Sequence, residues 1–222
     1  MVIQAPKKIK KMREKIIARG KLVVVEGTSG AGKTTAIVGL RECGIFDDWY
    51  LTREPGGTKF GDRMRQAVQG PELTKVHPLA ALMAYAASRA NSVNFEIKPR
   101  LEKGINCLSD RWWFSTWAYQ GAEGVSKLTI WLINMIAIRG QQPDLTLFYD
   151  VPAKIGLKRK TLCPDIDRYD LKRSEFMERA RRNYLQLGRF YPRSWVTIDT
   201  VDKNSNEVVD ETIRILGRRG LI

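Results

Sequence analysis

Histidine and cysteine are scarce in this chain of 222 residues. A single histidine, His77, is too few for a histidine-based metal cluster. The three scattered cysteines, Cys43, Cys107 and Cys163, have neither a zinc-binding spacing nor the pattern of a disulfide framework. We therefore expect reduced thiols in a cytoplasmic compartment and no metal centre built from these residue types.

Long apolar runs are also missing. The longest strongly apolar stretch, residues 128–138, contains Thr129 and Asn134 and is shorter than the about 20 residues that a membrane-spanning helix requires. The N-terminal residues contain no apolar run of the kind found in secretory signals, so we expect no such signal. Hydrophobic residues make up 43% of the chain, which is enough to fill the core of one α/β domain.

Acidic residues are rare at the N-terminus, which makes the charge distribution uneven. Residues 1–21 hold eight basic side chains and only Glu14, and so carry half of the net charge of +14. We predict a basic arm at residues 1–20 and one domain at residues 21–222. Such an arm could bind nucleic acid or a partner protein, but a solvated tail is the expected state, and we do not expect it to bind nucleic acid.

A glycine-rich loop follows the first apolar run, Leu22–Val25, which predicts a buried strand. The loop fits the spacing G-x-x-x-x-G-K-[ST], in which inward-facing backbone N–H groups and the start of a helix bind phosphate. The lysine of such a loop reaches the β- and γ-phosphates of ATP, and its threonine hydroxyl ligates Mg²⁺. The predicted ATP-binding residues are Gly27, Thr28, Ser29, Gly30, Ala31, Gly32, Lys33, Thr34 and Thr35.

Charged residues follow two further predicted strands. Arg53 ends the strand at residues 49–52 just before a Pro-Gly-Gly stop, and Asp110 and Arg111 follow the strand at residues 105–109. Open α/β sheets bind ligands at this carboxyl edge of their strands. Asp110 could hold Mg²⁺ there or be a buried capping residue, and Arg111 could bind a phosphate.

The remaining strands are predicted at residues 145–151 and 195–200. Five strands that alternate with helices predict an α/β fold, with a five-stranded parallel sheet and helices on both faces. The carboxyl ends of parallel strands meet at one edge, so a single crevice could contain Lys33, Arg53 and Arg111.

Four connecting segments carry further predictions. A helix over residues 78–102 places Tyr85 and Arg89 on one face, where they could contact a base; a core tyrosine beside a surface arginine is the commoner arrangement. The apolar residues 125–138 predict a buried helix that could pack against a second subunit. Residues 154–173 predict a polar connection that is either a lid over phosphates or an exposed basic turn. The last helix, residues 206–216, should begin at a capping box and end at Gly217.

The chain resembles the thymidylate kinase family of P-loop nucleoside monophosphate kinases. The resemblance spans residues 21 to about 200, and its combination of TREPGGT with DRWWFSTWAYQG is strongly diagnostic. The matching segments, in family order, are EGTSGAGKTT (26–35), LTREPGGT (51–58), AASRAN (86–91), SDRWWFSTWAYQG (109–121), PDLTLFYDV (143–151), GLKRK (156–160), DRYD (167–170) and VTIDT (196–200).

The resemblance implies roles in binding the acceptor nucleotide, dTMP. Arg53 would bind its 5′-phosphate, and Arg111 would bind the same phosphate or the one in transfer. Tyr85 stands where the family usually has a phenylalanine that stacks on thymine, and Arg89 stands where an arginine contacts the base edge. Two further residues, Thr116 and Gln120, would lie near the base, and Tyr119 would lie against the sugar, where its bulk can exclude a ribose 2′-hydroxyl.

The resemblance also implies a position for ATP and a subunit interface. Arg159 matches a lid-edge position associated with the adenine and phosphates of ATP. The family also suggests a homodimer formed through packed helices, which agrees with the apolar run at residues 125–138.

Two positions depart from the family pattern. Family members usually have an acidic residue where this chain has Ser29, and that carboxylate helps to place the sugar 3′-hydroxyl of the acceptor. Members with a glycine in the loop, as Gly30 here, typically supply a catalytic arginine from the lid. Beyond Arg159 those lid arginines are missing, so Arg159, Lys160 or an arginine from elsewhere must supply the lid cation.

The expected reaction moves the γ-phosphoryl group of ATP to dTMP, with Mg²⁺ as cofactor and Lys33, Arg53, Arg111 and a lid cation neutralising charge. Two alternatives stay open. The acceptor could be another deoxynucleoside monophosphate, such as a 5-substituted dUMP, or the chain could be an ATPase that binds nucleic acid through its basic arm. The absence of an N-K-x-D motif argues against a GTPase switch.

Overall fold

Five short strands form one sheet in the computed structural model, which describes residues 18–70, 75–160, 169–170 and 172–222. The strands are β1 (Leu22–Gly27), β2 (Tyr50–Arg53), β3 (Cys107–Asp110), β4 (Leu145–Asp150) and β5 (Trp195–Asp199). All neighbouring pairs are parallel, and the order across the sheet is β2-β3-β1-β4-β5. The predicted five-stranded parallel sheet is therefore confirmed.

Helices cover both faces of this sheet, as predicted. Side chains of β1 point alternately to the two faces, so Leu22 and Val24 pack in one core cluster and Val23 and Val25 in the other. A continuous apolar run is typical of a strand that is buried on both sides. The helices that come before β4 are α1 (Lys33–Glu42), α2 (Lys59–Gln69), α3 (Pro78–Ser92), α4 (Lys98–Glu102), α5 (Trp113–Ala122) and α6 (Lys127–Ile138).

The remaining helices are α7 (Ala153–Lys160), α8 (Ser174–Phe190) and α9 (Ser205–Arg218). Helices α1 and α9 share the core cluster of Val23 and Val25, whereas α3, α5 and α8 share that of Leu22 and Val24. Within the described ranges, no helix has the length and apolar character needed to cross a membrane.

The helix predicted over residues 78–102 is interrupted by a π-helical segment, Val93–Ile97, between α3 and α4. Pro99 lies in the first turn of α4 and has no N–H to donate to the preceding turn. A single π turn of this kind typically occurs inside a longer α-helix.

The predictions for the apolar helix and for the start of the lid need correction, and parts of the lid and of the N-terminal arm lie outside the described residues. Helix α6 is not buried all round, because Ile130 and Asn134 face the core while Leu128 and Ile136 are 64% and 78% exposed. The connection predicted from residue 154 begins as helix α7, and residues 161–168 and 171 of the expected lid lie outside the described residues. Residues 1–17 of the expected arm also lie outside them.

The last helix confirms one predicted boundary and corrects the other. Asn204 and Glu207 form the predicted capping box at the start of α9. Gly217 does not end the helix, which continues to Arg218, because Gly217 does not take the left-handed conformation of a terminating glycine. Helix α2 was not predicted, since its sequence is mostly polar and only Gly61 and Val68 are buried.

Candidate active site

The carboxyl ends of β2, β3 and β1 lie side by side at one edge of the sheet. Arg53 on β2 is level with Asp110 on β3, and Asp110 is level with Val25 on β1. The edge opens on a cavity of about 690 Å³. Chain direction alone therefore brings the motifs that follow these three strands to one place.

The glycine-rich loop lies between β1 and α1 at the wall of this cavity. Lys33 is 8% exposed, and its Nζ donates hydrogen bonds to the carbonyl oxygens of Gly27 (3.0 Å) and Thr28 (2.9 Å). Burial, with a smaller contribution from the nearby Arg111 cation, lowers the pKa of Lys33 to about 7. Two backbone carbonyl oxygens at the start of the loop thus hold the Lys33 amino group.

A close contact of two glycines joins the loop to helix α7. Gly30 has a left-handed φ of 70°, and a Cβ atom there would lie 1.9 Å from the Gly156 carbonyl oxygen. A Cβ at Gly156 would lie 2.5 Å from the carbonyl oxygen of Ser29. Only glycine fits both positions, and their contact fixes the distance between the loop and the helix that carries Arg159 and Lys160.

Arg111 follows β3 with a left-handed φ of 76°, which is unusual for a residue other than glycine. Its NH1 donates to Gly27 O (3.2 Å), Ser115 Oγ (3.1 Å) and, more weakly, Tyr184 OH (3.5 Å). Arg53 is more exposed and lies 3.6 Å from the Asp62 carboxylate. Both arginines line the cavity together with Lys33.

Behind Arg111 lies the fully buried carboxylate of Glu26, at the end of β1. It accepts hydrogen bonds from Trp112 N (2.8 Å), Ser115 Oγ (2.7 Å) and Tyr184 OH (2.8 Å). Burial raises the pKa of Glu26, and the Arg111 cation and these donors oppose the change.

Aromatic and amide side chains line another part of the cavity. The Tyr169 hydroxyl accepts from Gln120 Nε2 (2.7 Å) and lies 3.2 Å from the Tyr85 hydroxyl. Gln69 Nε2 donates to the Tyr85 hydroxyl at 3.5 Å, and the Tyr119 ring packs edge-on against Tyr169. The result is a largely buried pocket with flat rings and several hydrogen-bonding groups.

Arg89 is 2% exposed, so the prediction of a core tyrosine beside a surface arginine is wrong for the arginine. Its Nε lies 2.5 Å from Glu54 Oε2, and its NH1 donates to Asn134 Oδ1. Burial raises the pKa of Glu54 to about 7, with the Arg89 cation opposing the change. The guanidinium still lines the cavity, held there by Glu54 from one loop and Asn134 from α6.

Two contacts connect the loop and α7 to distant segments. Ser29 Oγ donates to Asp170 Oδ1, and Lys160 Nζ lies 3.5 Å from Asp170 Oδ2. Arg159 NH2 donates to the carbonyl oxygens of Thr200 (2.8 Å) and Val201 (2.9 Å), between β5 and α9. Thus a carboxylate lies beside Ser29, although the loop itself has none.

The predicted metal ligands, Thr34 and Asp110, both line the cavity. Asp110 Oδ1 is buried and has no hydrogen-bond partner within the described part of the chain, and the Thr34 side chain is exposed. An orphaned carboxylate oxygen and a hydroxyl form an oxygen donor set, which fits Mg²⁺. The described residues contain no group of three or more His, Cys, Asp or Glu suited to a metal.

Almost all predicted site residues line the one cavity. Gly27 and Thr28, at the start of the loop, are the exceptions, and their carbonyl oxygens accept hydrogen bonds from Lys33. The lining residues that were predicted are Ser29, Gly30, Ala31, Gly32, Lys33, Thr34, Thr35, Arg53, Tyr85, Arg89, Asp110, Arg111, Thr116, Tyr119, Gln120, Arg159 and Lys160.

Other lining residues were not predicted. Seven of them lie inside the recognised motifs and could have been found there; the other six lie in segments without a motif, two on α2 and four at or just before the start of α9. The additional lining residues are Glu54, Pro55, Arg65, Gln69, Trp112, Ser115, Tyr169, Asp170, Thr200, Lys203, Asn204, Ser205 and Val208.

A parallel sheet with a phosphate-binding loop and an arginine-rich cavity at its carboxyl edge defines a P-loop phosphotransferase. The family model described as "Thymidylate kinase" matches residues 25–213, and the chain belongs to this family of nucleoside monophosphate kinases. Among solved structures, it is similar to the thymidylate kinase from Ehrlichia chaffeensis, with 26% sequence identity and a TM-score of 0.71. That match covers 90% of this chain and 99% of the other.

Proposed function

We propose that this enzyme transfers the γ-phosphoryl group of ATP to the 5′-phosphate of dTMP, giving dTDP and ADP. The observation that carries the proposal is that Lys33 of the loop and Arg53 and Arg111 of two other strands line one cavity. Two arginines opposite the loop suit a reaction with a second, acceptor phosphate beside the γ-phosphate, which an ATPase without an acceptor does not bind. The family membership of the chain agrees with this assignment.

The reaction joins two anions, so the protein has mainly to position them and to neutralise charge. An acceptor oxygen attacks the γ-phosphorus atom, the bond to the β-γ bridging oxygen breaks, and ADP leaves with that oxygen. In the proposal Lys33 binds the β- and γ-phosphates, Arg53 binds the acceptor phosphate, and Arg111 lies between them. Arg159 or Lys160 of α7 supplies the lid cation.

ATP would lie along the loop from Gly27 to Thr35, with its adenine toward Arg159. The contacts of Arg159 with Thr200 and Val201 support this direction, because that segment also lines the cavity through Thr200. Thr34 and Asp110 would hold Mg²⁺, which shields the phosphate charges and orients the γ-phosphoryl group.

The acceptor would occupy the pocket of aromatic and amide side chains. Tyr85 and Arg89 would contact the base, with Thr116 and Gln120 beside it, and Tyr119 would lie against the sugar. Asp170 accepts a hydrogen bond from Ser29. Its carboxylate would lie near the sugar and supply the acidic group that the loop lacks. This arrangement favours a deoxynucleotide whose base can both stack and hydrogen-bond.

One observation favours a second acceptor, a deoxyuridine monophosphate with a polar 5-substituent. Tyr85 brings a hydroxyl into the base pocket, where it contacts Tyr169 and Gln69. The Gln69 Oε1 atom is buried and has no hydrogen-bond partner in the described ranges. A substituent that donates a hydrogen bond could use this oxygen, whereas the methyl group of thymine could not.

We also propose that the enzyme is a homodimer in the cytoplasm. Helices α3 and α6 pack together, and each has an exposed apolar stripe; the α3–α6 face consists of Leu79, Met83, Leu128, Trp131, Leu132 and Ile136. A face of this kind commonly marks a protein interface. The free thiols of Cys43 and Cys107 suit a reducing compartment.

The test is a coupled assay of ADP release with a panel of deoxy- and ribonucleoside monophosphates, including 5-hydroxymethyl-dUMP. We expect dTMP to have the highest kcat/KM and ribonucleotides to be poor acceptors. The variant K33A should lower kcat by several orders of magnitude (roughly 10³ or more) while the fold stays intact by circular dichroism. A lack of preference for dTMP would contradict the acceptor assignment, and ATP hydrolysis that requires DNA but no monophosphate would favour the ATPase alternative.

A further inference from the structure

The Glu26 carboxylate is buried at the end of β1, and the sequence gives it no role in binding either nucleotide. Its Oε1 accepts hydrogen bonds from the backbone N–H groups of Trp112 (2.8 Å) and Ser115 (3.2 Å). Its Oε2 accepts from the Ser115 hydroxyl (2.7 Å) and the Tyr184 hydroxyl (2.8 Å). The carboxylate therefore binds both the turn after Arg111 and two hydroxyl groups beside it.

These two hydroxyls lie between Glu26 and Arg111. The Ser115 Oγ atom donates to Glu26 and accepts from Arg111 NH1 at 3.1 Å. The Tyr184 hydroxyl contacts the same two groups, with a longer contact of 3.5 Å to NH1, and the two hydroxyls lie 2.8 Å from each other. Arg111 NH1 also donates to Gly27 O, in the phosphate loop. A carboxylate, two hydroxyls and one guanidinium nitrogen thus form a continuous hydrogen-bond network.

The network uses one end of the Arg111 guanidinium. All side-chain hydrogen bonds of Arg111 within the described part of the chain come from NH1, which leaves Nε and NH2 for oxygens of a ligand in the cavity. Arg89 differs, because Glu54 contacts its Nε directly and neutralises its charge. The Ser115 and Tyr184 hydroxyls lie between the two charged groups. The Glu26 carboxylate therefore orients Arg111 without a direct ion pair.

The backbone of Arg111 also needs support. Its left-handed φ of 76° is unfavourable for an arginine, and the turn is held by Arg111 N donating to Val25 O (2.8 Å) and by Trp112 N donating to Glu26. The same glutamate therefore stabilises the backbone turn and, through the hydroxyls, orients the side chain.

We infer that Glu26 is a positioning residue that acts through Ser115 and Tyr184 to direct Arg111 at the phosphates of the substrates. The inference rests on the proposed function, because only that function brings phosphates to Arg111. Ser115 lies on α5 and Tyr184 lies on α8, so this hydrogen-bond network depends on the packing of both helices against β1.

The experiment is a double-mutant cycle between Tyr184 and Arg111, read as kcat and KM for dTMP and for ATP. Y184F removes one hydroxyl of the network, and we expect kcat/KM for dTMP to fall by about tenfold, the effect of one lost hydrogen bond to a charged group. In an R111K background the same change should have less than about a twofold effect, because the guanidinium it orients is gone. S115A should behave like Y184F.

The matched control is Y149F, which removes a tyrosine hydroxyl that is equally buried but bonds Thr212 (2.9 Å) outside the cavity. It should lower the melting temperature about as much as Y184F and leave kcat/KM unchanged. The inference fails if Y184F keeps full activity, if its loss is the same with Arg111 and with Lys at this position, or if Y149F loses as much. If the enzyme turns over another monophosphate but not dTMP, only the acceptor assignment is overturned, and the cycle is then run with that acceptor. If the enzyme uses no acceptor, both the proposed function and the inference about Glu26 are overturned.

Discussion

Lys33 is poised to gain a proton when a phosphate binds. Its pKa of about 7 means that at pH 8 the amine is mostly neutral in the ligand-free enzyme. A phosphate anion beside it favours the charged form and raises the pKa toward its usual range. ATP binding should then couple to protonation of this side chain.

We predict that ATP binding at pH 8 takes up nearly one proton per site and that uptake at pH 6 is much smaller, because Lys33 is already charged there. Isothermal titration calorimetry in two buffers of different ionisation enthalpy measures the number directly. K33M should abolish the uptake at pH 8. Equal uptake at pH 6 and pH 8 would show that another group takes the proton.

Ser29 and Asp170 contact each other, so the residue type that fits at one position depends on the residue at the other. The Ser29 hydroxyl donates to the Asp170 carboxylate, with Lys160 3.5 Å away. An aspartate at position 29 would place two carboxylates in contact, and like charges at that distance repel. The serine at position 29 therefore suits the carboxylate of Asp170 better than an acidic residue would.

We predict that S29D lowers kcat/KM for dTMP by about tenfold and that S29D with D170N recovers most of the loss, because one carboxylate is again present. S29T keeps the hydroxyl and is the control. Steady-state kinetics with varied dTMP measures all of them. An S29D enzyme as active as the wild type would contradict the pairing.

At the scale of elements, the position of α7 depends on a glycine contact. Gly156 lies against the Ser29 carbonyl with no room for a Cβ atom, whereas Gly217 of α9 has open space around it. Both are helical glycines without a positive φ, so alanine suits the backbone at each. Comparing alanine at Gly156 with alanine at Gly217 therefore separates the effect of helix propensity from the effect of the distance between the loop and α7.

We predict that G156A lowers kcat by about tenfold or more, because it pushes α7 and its cations away from the loop, and small misplacements of reacting groups are costly. G217A should stabilise the protein by about 0.5 kcal/mol and leave kcat unchanged. Steady-state assays measure kcat, and chemical denaturation measures the free energy of unfolding of both variants. A normal kcat for G156A would mean that the cations of α7 need no exact spacing from the loop.

At the scale of the whole molecule, the α3–α6 face predicts self-association. Ile136 is 78% exposed, so a charged residue there costs little in the monomer but disrupts an apolar interface. We predict that the wild type sediments as a dimer of the 25.3 kDa chain and that I136E sediments as a monomer. V38E, an exposed apolar position on α1 (47%), is the control and should remain dimeric. A monomeric wild type, or equal dissociation of both variants, would contradict this interface.

Most of the sheet and the location of the site could be predicted from the sequence. The strands β1 and β4 are mostly apolar, and β2, β3 and β5 begin with apolar residues. In a parallel sheet all carboxyl ends meet at one edge, so Lys33, Arg53 and Arg111 had to meet once their strands were recognised. This inference needs only strand positions and chain direction. The glycine-rich loop and the capping box are similarly local, because their spacing specifies their geometry.

The tertiary structure alone decided which side chains pair across the fold. Tyr184 reaches Glu26 over 158 positions of sequence, Asp170 reaches Ser29 over 141, and Arg89 is buried by Glu54 and Asn134 rather than exposed. No local pattern specifies these pairs, because they depend on how helices pack on the sheet and not on the spacing of residues along the chain. The sequence thus determined the edge of the sheet where Lys33, Arg53 and Arg111 meet, and the packing of α5, α7 and α8 determined how the charged groups at that edge are held.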